Sequence, residues 1–101
     1  MIAPTIFIDE NIPFLAGALS SSGARIIRFN GRTLTSSDLI REQCSALFVR
    51  SITTVNSSLL VGTSVQFVGT ATAGIDHIDT QFVEKSGIHF ASAAGSNANA
   101  V

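Results

Sequence analysis

Five short apolar runs recur along the chain: Ile6-Phe7-Ile8, Arg25-Ile26-Ile27, Ala46-Leu47-Phe48-Val49, Val65-Gln66-Phe67-Val68 and Ile88-His89-Phe90-Ala91. Their starts lie about twenty residues apart, too far for hairpins and suited to strand–helix–strand crossovers. Several are apolar at consecutive positions instead of alternating, as strands covered on both faces are. The intervening segments carry helix punctuation. Asn11 and Pro13 open a stretch with Phe14, Leu15, Ala18 and Leu19 on one stripe, closed near Gly23. Thr35 followed by Asp38 has the form of a capping box ahead of Leu39 and Ile40. Asn56 precedes a very short helix holding Leu59 and Leu60, with Gly62 as its stop. Asp79 is placed to cap a helix with Phe82 and Val83 facing inward, ended by Gly87.

This order predicts an α/β fold: an open parallel sheet of about five strands in a flavodoxin-like (Rossmann-like) order, with helices on both faces. The closing run Gly95-Ser96-Asn97-Ala98-Asn99-Ala100-Val101 reads as a loop and the first turn of a helix, with no glycine stop and no basic last turn. One turn is rarely worth nucleating. Residues 1–95 are therefore expected to form part of an incomplete domain, with 96–101 starting a helix that leads onward.

Composition narrows the functional classes. The chain has 101 residues, one domain at most, and a formal net charge of -1 with no concentration of Lys or Arg. Nucleic-acid binding needs a basic footprint, and an amphipathic membrane helix needs basic residues along its polar face, so neither partner is expected. No apolar run approaches the ~20 residues of a membrane span, and Asp9 and Glu10 interrupt the N-terminal region where a secretory signal would continue. Cys44 is alone, which suits a reducing cytosol and leaves nothing to assemble a thiolate metal cage. A soluble cytoplasmic protein is the expectation.

Ligands of open α/β sheets sit beyond the carboxyl ends of the strands. Those ends carry Asp9-Glu10-Asn11, then Arg50-Ser51-Ile52-Thr53, then Gly69-Thr70-Ala71-Thr72-Ala73-Gly74. Ser51 and Thr72, after neighbouring strands, are candidates to share one crevice. Small hydroxyls with a glycine-softened backbone suit a carboxylate or phosphate. The competing reading is that each is a turn former or cap. Arg50 is a substrate-adjacent candidate, although an arginine at a strand end often makes a structural ion pair. The glycine run is not a P-loop, since Ile75-Asp76 stands where Lys-Ser/Thr must follow, and no G-x-G-x-x-G occurs. Asp76-His77-Ile78-Asp79 is weak as a metal site, because adjacent positions aim side chains apart, and reads better as a turn and cap. His89, inside an apolar run, is expected in the core or an interface, and Cys44 is expected to be inert.

The runs Asp9-Glu10-Asn11-Ile12-Pro13, Val49-Arg50-Ser51-Ile52-Thr53, Phe67 through Asp79 and Gly95-Ser96-Asn97-Ala98 together resemble the N-terminal segment of the NAD-dependent D-2-hydroxyacid dehydrogenases. Ala94, Ser96 and Asn99 depart from the usual pattern near the junction. The resemblance implies a split substrate domain, with a separate NAD-binding domain and the catalytic Arg, Glu and His beyond this chain. It implies Ser51 and Thr72 as substrate-binding residues and leaves no catalytic, cofactor or metal residue here. The Gly-Thr-Ala-Thr-Ala-Gly and Asp-His-x-Asp runs are similar to those of the branch that oxidises 4-phospho-D-erythronate, a small anionic substrate, as a homodimer. Alternatives are another member of the family, acting for instance on 3-phosphoglycerate, or a stand-alone non-catalytic flavodoxin-like binding module.

Overall fold

A computed structural model describes residues 4–12, 23–71 and 76–92. Its strands are β1 (Thr5–Asp9), β2 (Arg25–Phe29), β3 (Cys44–Val49), β4 (Phe67–Thr70) and β5 (His89–Ser92). Three short helices lie between them: α1 (Ser36–Arg41), α2 (Ser57–Leu60) and α3 (Thr80–Lys85). All four strand pairings are parallel, and the sheet runs β2-β1-β3-β4-β5. This is the flavodoxin-like order that the spacing predicts. The fourth strand begins at Phe67, two residues later than the apolar run suggests, although the Gln66 N–H still reaches the Ser45 carbonyl at 2.8 Å. The helix expected between Asn11 and Gly23 lies largely outside the described residues.

The register aligns Ile27, Phe7, Leu47, Val68 and Phe90 in one row across all five strands. Leu39 of α1, Leu59 and Leu60 of α2 and Val83 of α3 join Phe7, Leu47 and Val68 in one buried cluster. Because the strands must connect in the same direction, the crossovers from β2 to β3, β3 to β4 and β4 to β5 lay α1, α2 and α3 back on the sheet, and their apolar residues fill that face.

The helix ends follow local chemistry. Thr35 and Asp38 form the reciprocal capping box, the Thr35 hydroxyl accepting the Asp38 N–H and Asp38 accepting the Thr35 N–H. Asn56 and Asp79 cap α2 and α3 by accepting the N–H groups of Leu59 and Phe82, both at 3.1 Å. After α3, Gly87 adopts φ 77°. Its N–H reaches the Glu84 carbonyl, and the Ile88 N–H reaches Val83, the paired bonds of a Schellman ending.

Candidate functional site

The carboxyl edge of the sheet is built from the loops that follow β1, β2, β3 and β4. After β3 the chain turns at once, with the Thr53 N–H donating to the Arg50 carbonyl at 3.3 Å. The turn separates its side chains. Arg50 is half-buried, Ser51 is exposed, and Thr53 is buried with its hydroxyl donating to the Gly31 carbonyl at 3.1 Å. Ser51 therefore stands at the rim where a ligand could reach it, while Thr53 fixes the turn from below. Thr72, the second expected ligand contact, lies outside the described residues.

Beneath the rim, three loops meet closely. Asp9, the last residue of β1, is fully buried; its Oδ1 accepts the Asn11 N–H at 2.8 Å and its Oδ2 has no hydrogen-bond partner among the described residues. A Cβ on Gly31 would come within 2.8 Å of that oxygen, 2.7 Å of Thr53 Oγ1 and 2.9 Å of Ile52 Cδ1. Gly31 thus lets the loop after β2 pack against the turn that presents Ser51. The sequence alone does not single out this three-way contact, because Gly31 and Asp9 are distant in the chain and carry only ordinary turn signals.

The loop after β4 is tied to the loop after β3. The Val55 N–H donates to the His77 carbonyl and the Asp79 N–H donates to the Val55 carbonyl, both at 2.8 Å, around a parallel bridge between Val55 and Ile78. His77 also places its ring Nε2 3.0 Å from the hydroxyl of Thr70, the buried last residue of β4. Burial pulls the His77 pKa below its ordinary value, and the neighbouring Asp76 charge opposes this. His77 is thus a neutral ring at pH 7, able to give or take one hydrogen bond at Nε2. Sequence reasoning assigned this stretch to a turn and cap, which holds for Asp79, but it missed the Thr70 contact. The hydroxyl ends a strand and the imidazole follows in a loop, so no single element's period relates them.

Other candidates resolve simply. The Cys44 thiol is pushed up to about 12, chiefly by burial, with hydrogen bonding involving the backbone of Phe7 and Ala46 opposing. It stays a buried thiol and is a poor nucleophile, as expected. His89 opens β5 and is exposed, which corrects the core half of its expected place in a core or interface. Its place in an apolar run misled because β5 ends the sheet order and the strand's first side chain points away from the packed row. A depression of about 450 Å³ lined by Thr80, Val83, Glu84, Gly87, Ile88, His89 and Phe90 lies around the start of β5. It runs along α3 and the start of β5 and includes none of Arg50, Ser51 or Thr53, so it is not the crevice at issue. Among the described residues no three His, Cys, Asp or Glu side chains cluster as metal ligands, and no helix is long and apolar enough to cross a membrane.

The sequence profile of the D-isomer specific 2-hydroxyacid dehydrogenase catalytic domain matches residues 7–101. The chain belongs to this family. Among similar D-2-hydroxyacid dehydrogenases is the erythronate-4-phosphate dehydrogenase of Teredinibacter turnerae, 51% identical over 96 residues, covering 95% of this chain and 25% of that protein. The enzyme of the same name from Baumannia cicadellinicola is 52% identical over 97 residues, with the same coverage of 95% and 25%. The chain thus spans about a quarter of the length of the curated relatives it matches. A crystal structure of a D-isomer specific 2-hydroxyacid dehydrogenase, NAD-binding, from Polaromonas superposes with a TM-score of 0.65 at 20% identity, covering 89% of this chain and 30% of that one. At that identity the likeness bears on the fold, which it shares.

Proposed function

We propose that this chain is the leading part of the substrate domain of an NAD-dependent dehydrogenase that oxidises 4-phospho-D-erythronate to 2-oxo-3-hydroxy-4-phosphobutanoate, on the route to pyridoxal phosphate. The observation that carries the reading is Ser51, exposed on a fixed turn at the carboxyl edge of a parallel sheet, in a chain about half identical to enzymes named for that substrate. Ser51 and Thr72 bind the anionic substrate through short hydroxyl hydrogen bonds, and Arg50 lies beside them as a further positive group. Their contribution is orientation, which turns a bimolecular encounter into a held geometry.

Oxidation removes the C2 hydrogen as hydride and the hydroxyl hydrogen as a proton. NAD supplies the hydride acceptor when bound. The sequence does not fit a dinucleotide fingerprint, since it has no G-x-G-x-x-G. The cofactor site and the His, Glu and Arg that handle the proton and carboxylate belong, on this reading, to a part of the enzyme beyond these residues. The enzyme works in the cytoplasm as a homodimer.

Steady-state kinetics of the complete enzyme test the assignment. Ser51→Ala and Thr72→Ala should each raise KM for 4-phospho-D-erythronate, and unchanged kinetics in both would remove their role. A panel that includes 3-phosphoglycerate separates this substrate from others of the family. A stand-alone module would instead be stable, cooperative and monomeric as 101 residues.

A further inference from the structure

We propose that Asn30-Gly31 is a site of spontaneous covalent modification, where Asn30 loses its amide nitrogen through a succinimide and becomes isoaspartate, loosening the turn that presents Ser51. The modification stands on the geometry of the loop after β2, and its consequence for substrate rests on the crevice proposed above.

Asn30 is the only asparagine of the chain followed by glycine. Ring closure needs the next residue's main-chain nitrogen to attack the side-chain carbonyl carbon, and a β-carbon on that residue obstructs the approach. Glycine leaves it open. Asn30 is exposed just past the end of β2, within reach of water. Its Oδ1 accepts the Arg32 N–H at 2.8 Å. That bond closes a ring containing the Gly31 nitrogen, so it brings Cγ over the nitrogen and draws electron density from the carbonyl. The Gly31 N–H donates no hydrogen bond among the described residues, so no acceptor is given up when the nitrogen loses its proton. Asn11 and Asn56 lack this combination. Asn11 precedes the branched Ile12, and Asn56 is half-buried at the start of α2 with its Oδ1 held by the Leu59 N–H.

The Gly31 nitrogen gives its proton to water and bonds to Asn30 Cγ. The Cγ–Nδ2 bond breaks, and Nδ2 takes up a proton and leaves as ammonia. Water then opens the succinimide at its main-chain carbonyl, which gives isoaspartate with no oxidation or reduction. The chain between residue 30 and Gly31 is now longer by one carbon. Gly31 has no room to absorb the change, since even a Cβ there would lie under 3 Å from Thr53 Oγ1, Asp9 Oδ2 and Ile52 Cδ1. The bond from the Thr53 hydroxyl to the Gly31 carbonyl, 3.1 Å, is strained or lost, and Thr53 is the buried residue that fixes the Ser51 turn. The new carboxylate also adds negative charge at a rim that receives an anion.

The test ages the complete enzyme in mildly alkaline buffer, then maps its peptides by mass spectrometry with isoaspartyl methylation as the probe. Residue 30 should carry isoaspartate while Asn11 and Asn56 stay intact. The converted fraction, separated by its extra negative charge, should show a KM for 4-phospho-D-erythronate about fivefold higher, the worth of one lost hydrogen bond. Asn30→Ser keeps an acceptor for the Arg32 N–H but cannot lose ammonia, so its KM should hold through the same incubation. An Asn30 that stays intact in the folded enzyme while the urea-unfolded enzyme converts would overturn the proposal. So would a converted fraction with unchanged KM, or an Asn30→Ser enzyme that ages as the wild type does. Fresh wild-type enzyme inactive on this substrate would refute the underlying function instead, and the peptide map would still decide the modification.

Discussion

On one side of the sheet, Phe7, Leu47 and Val68 are buried between strands and helices and Val49 is fully enclosed; on the other, Phe48, Phe67 and Ala91 are only half-buried. The difference follows from what each row meets. The first row receives Leu39, Leu59, Leu60 and Val83 from three helices. On the second, Ile6 and Ile8 are buried under β1's part of the face, but the two phenylalanines of β3 and β4 chiefly pack against each other, ring centroids 5.4 Å apart. Among the described residues, three helices cover the first face, while the phenylalanines of the second stay part-exposed.

Core truncation should break this comparison most visibly. Leu47→Ala removes a fully buried side chain enclosed by a filled cluster and should cost about 3 kcal/mol. Phe48→Ala takes away more atoms, yet part of that ring already meets water, so about 1.5 kcal/mol is expected. Urea unfolding midpoints of the two variants measure this directly. Equal costs would mean that the second face is as tightly packed as the first.

Two glycines sharpen the same point on smaller effects. Gly31→Ala would thrust a methyl against Asp9, Thr53 and Ile52 at under 3 Å, where two of the three neighbours are buried and bonded, and should cost about 2.5 kcal/mol. Gly69→Ala meets the Phe48 ring at 2.8 Å, but that ring is part-exposed and can shift, so about 1 kcal/mol is expected. Because Gly31 seats the turn that presents Ser51, its variant should also raise KM in the complete enzyme, whereas the Gly69 variant should do so less.

The first face was legible in the sequence and the rim was not, for a physical reason. Strand runs such as Ala46-Leu47-Phe48-Val49 and caps such as Thr35 and Asp79 are written locally, within one period of the element they define. Their spacing also implied the crossovers and hence the strand order. The contacts Thr70–His77 and Asp9–Gly31–Thr53 join loops through the fold, and no spacing rule marks them. Exposure of Ser51 was inferable from its place after a strand. The burial of its neighbour Thr53 was not, since the two differ only in which way one turn points them.

A surface feature on the packed side gives a smaller effect. Thr35→Ala removes the hydroxyl half of the α1 capping box at an exposed site and leaves the backbone N–H bond to Asp38, and about 1 kcal/mol should be lost. A fall as large as that of Leu47→Ala in urea unfolding would show that α1 docking, not the cluster beneath it, dominates this face.

The smallest effect is a pH dependence seated at the rim. Burial lowers the His77 pKa from its ordinary 6.5, against the opposing charge of Asp76. The unfolded chain therefore takes up a proton at this ring at higher pH than the folded one. The His77 contribution is fully present above about pH 6.5 and is lost as pH falls from there through the folded value, after which it levels off. The depressed carboxylates Asp38 and Glu42 act in a separate window, since their contributions fade only as pH drops below the ordinary carboxylate range. Unfolding midpoints at pH 7.5 and 5.5 should thus fall more for the wild type than for His77→Gln, which carries no titrating ring. Identical falls in both proteins would mean that the ring is as well solvated folded as unfolded, and that the bond to Thr70 does not confine it.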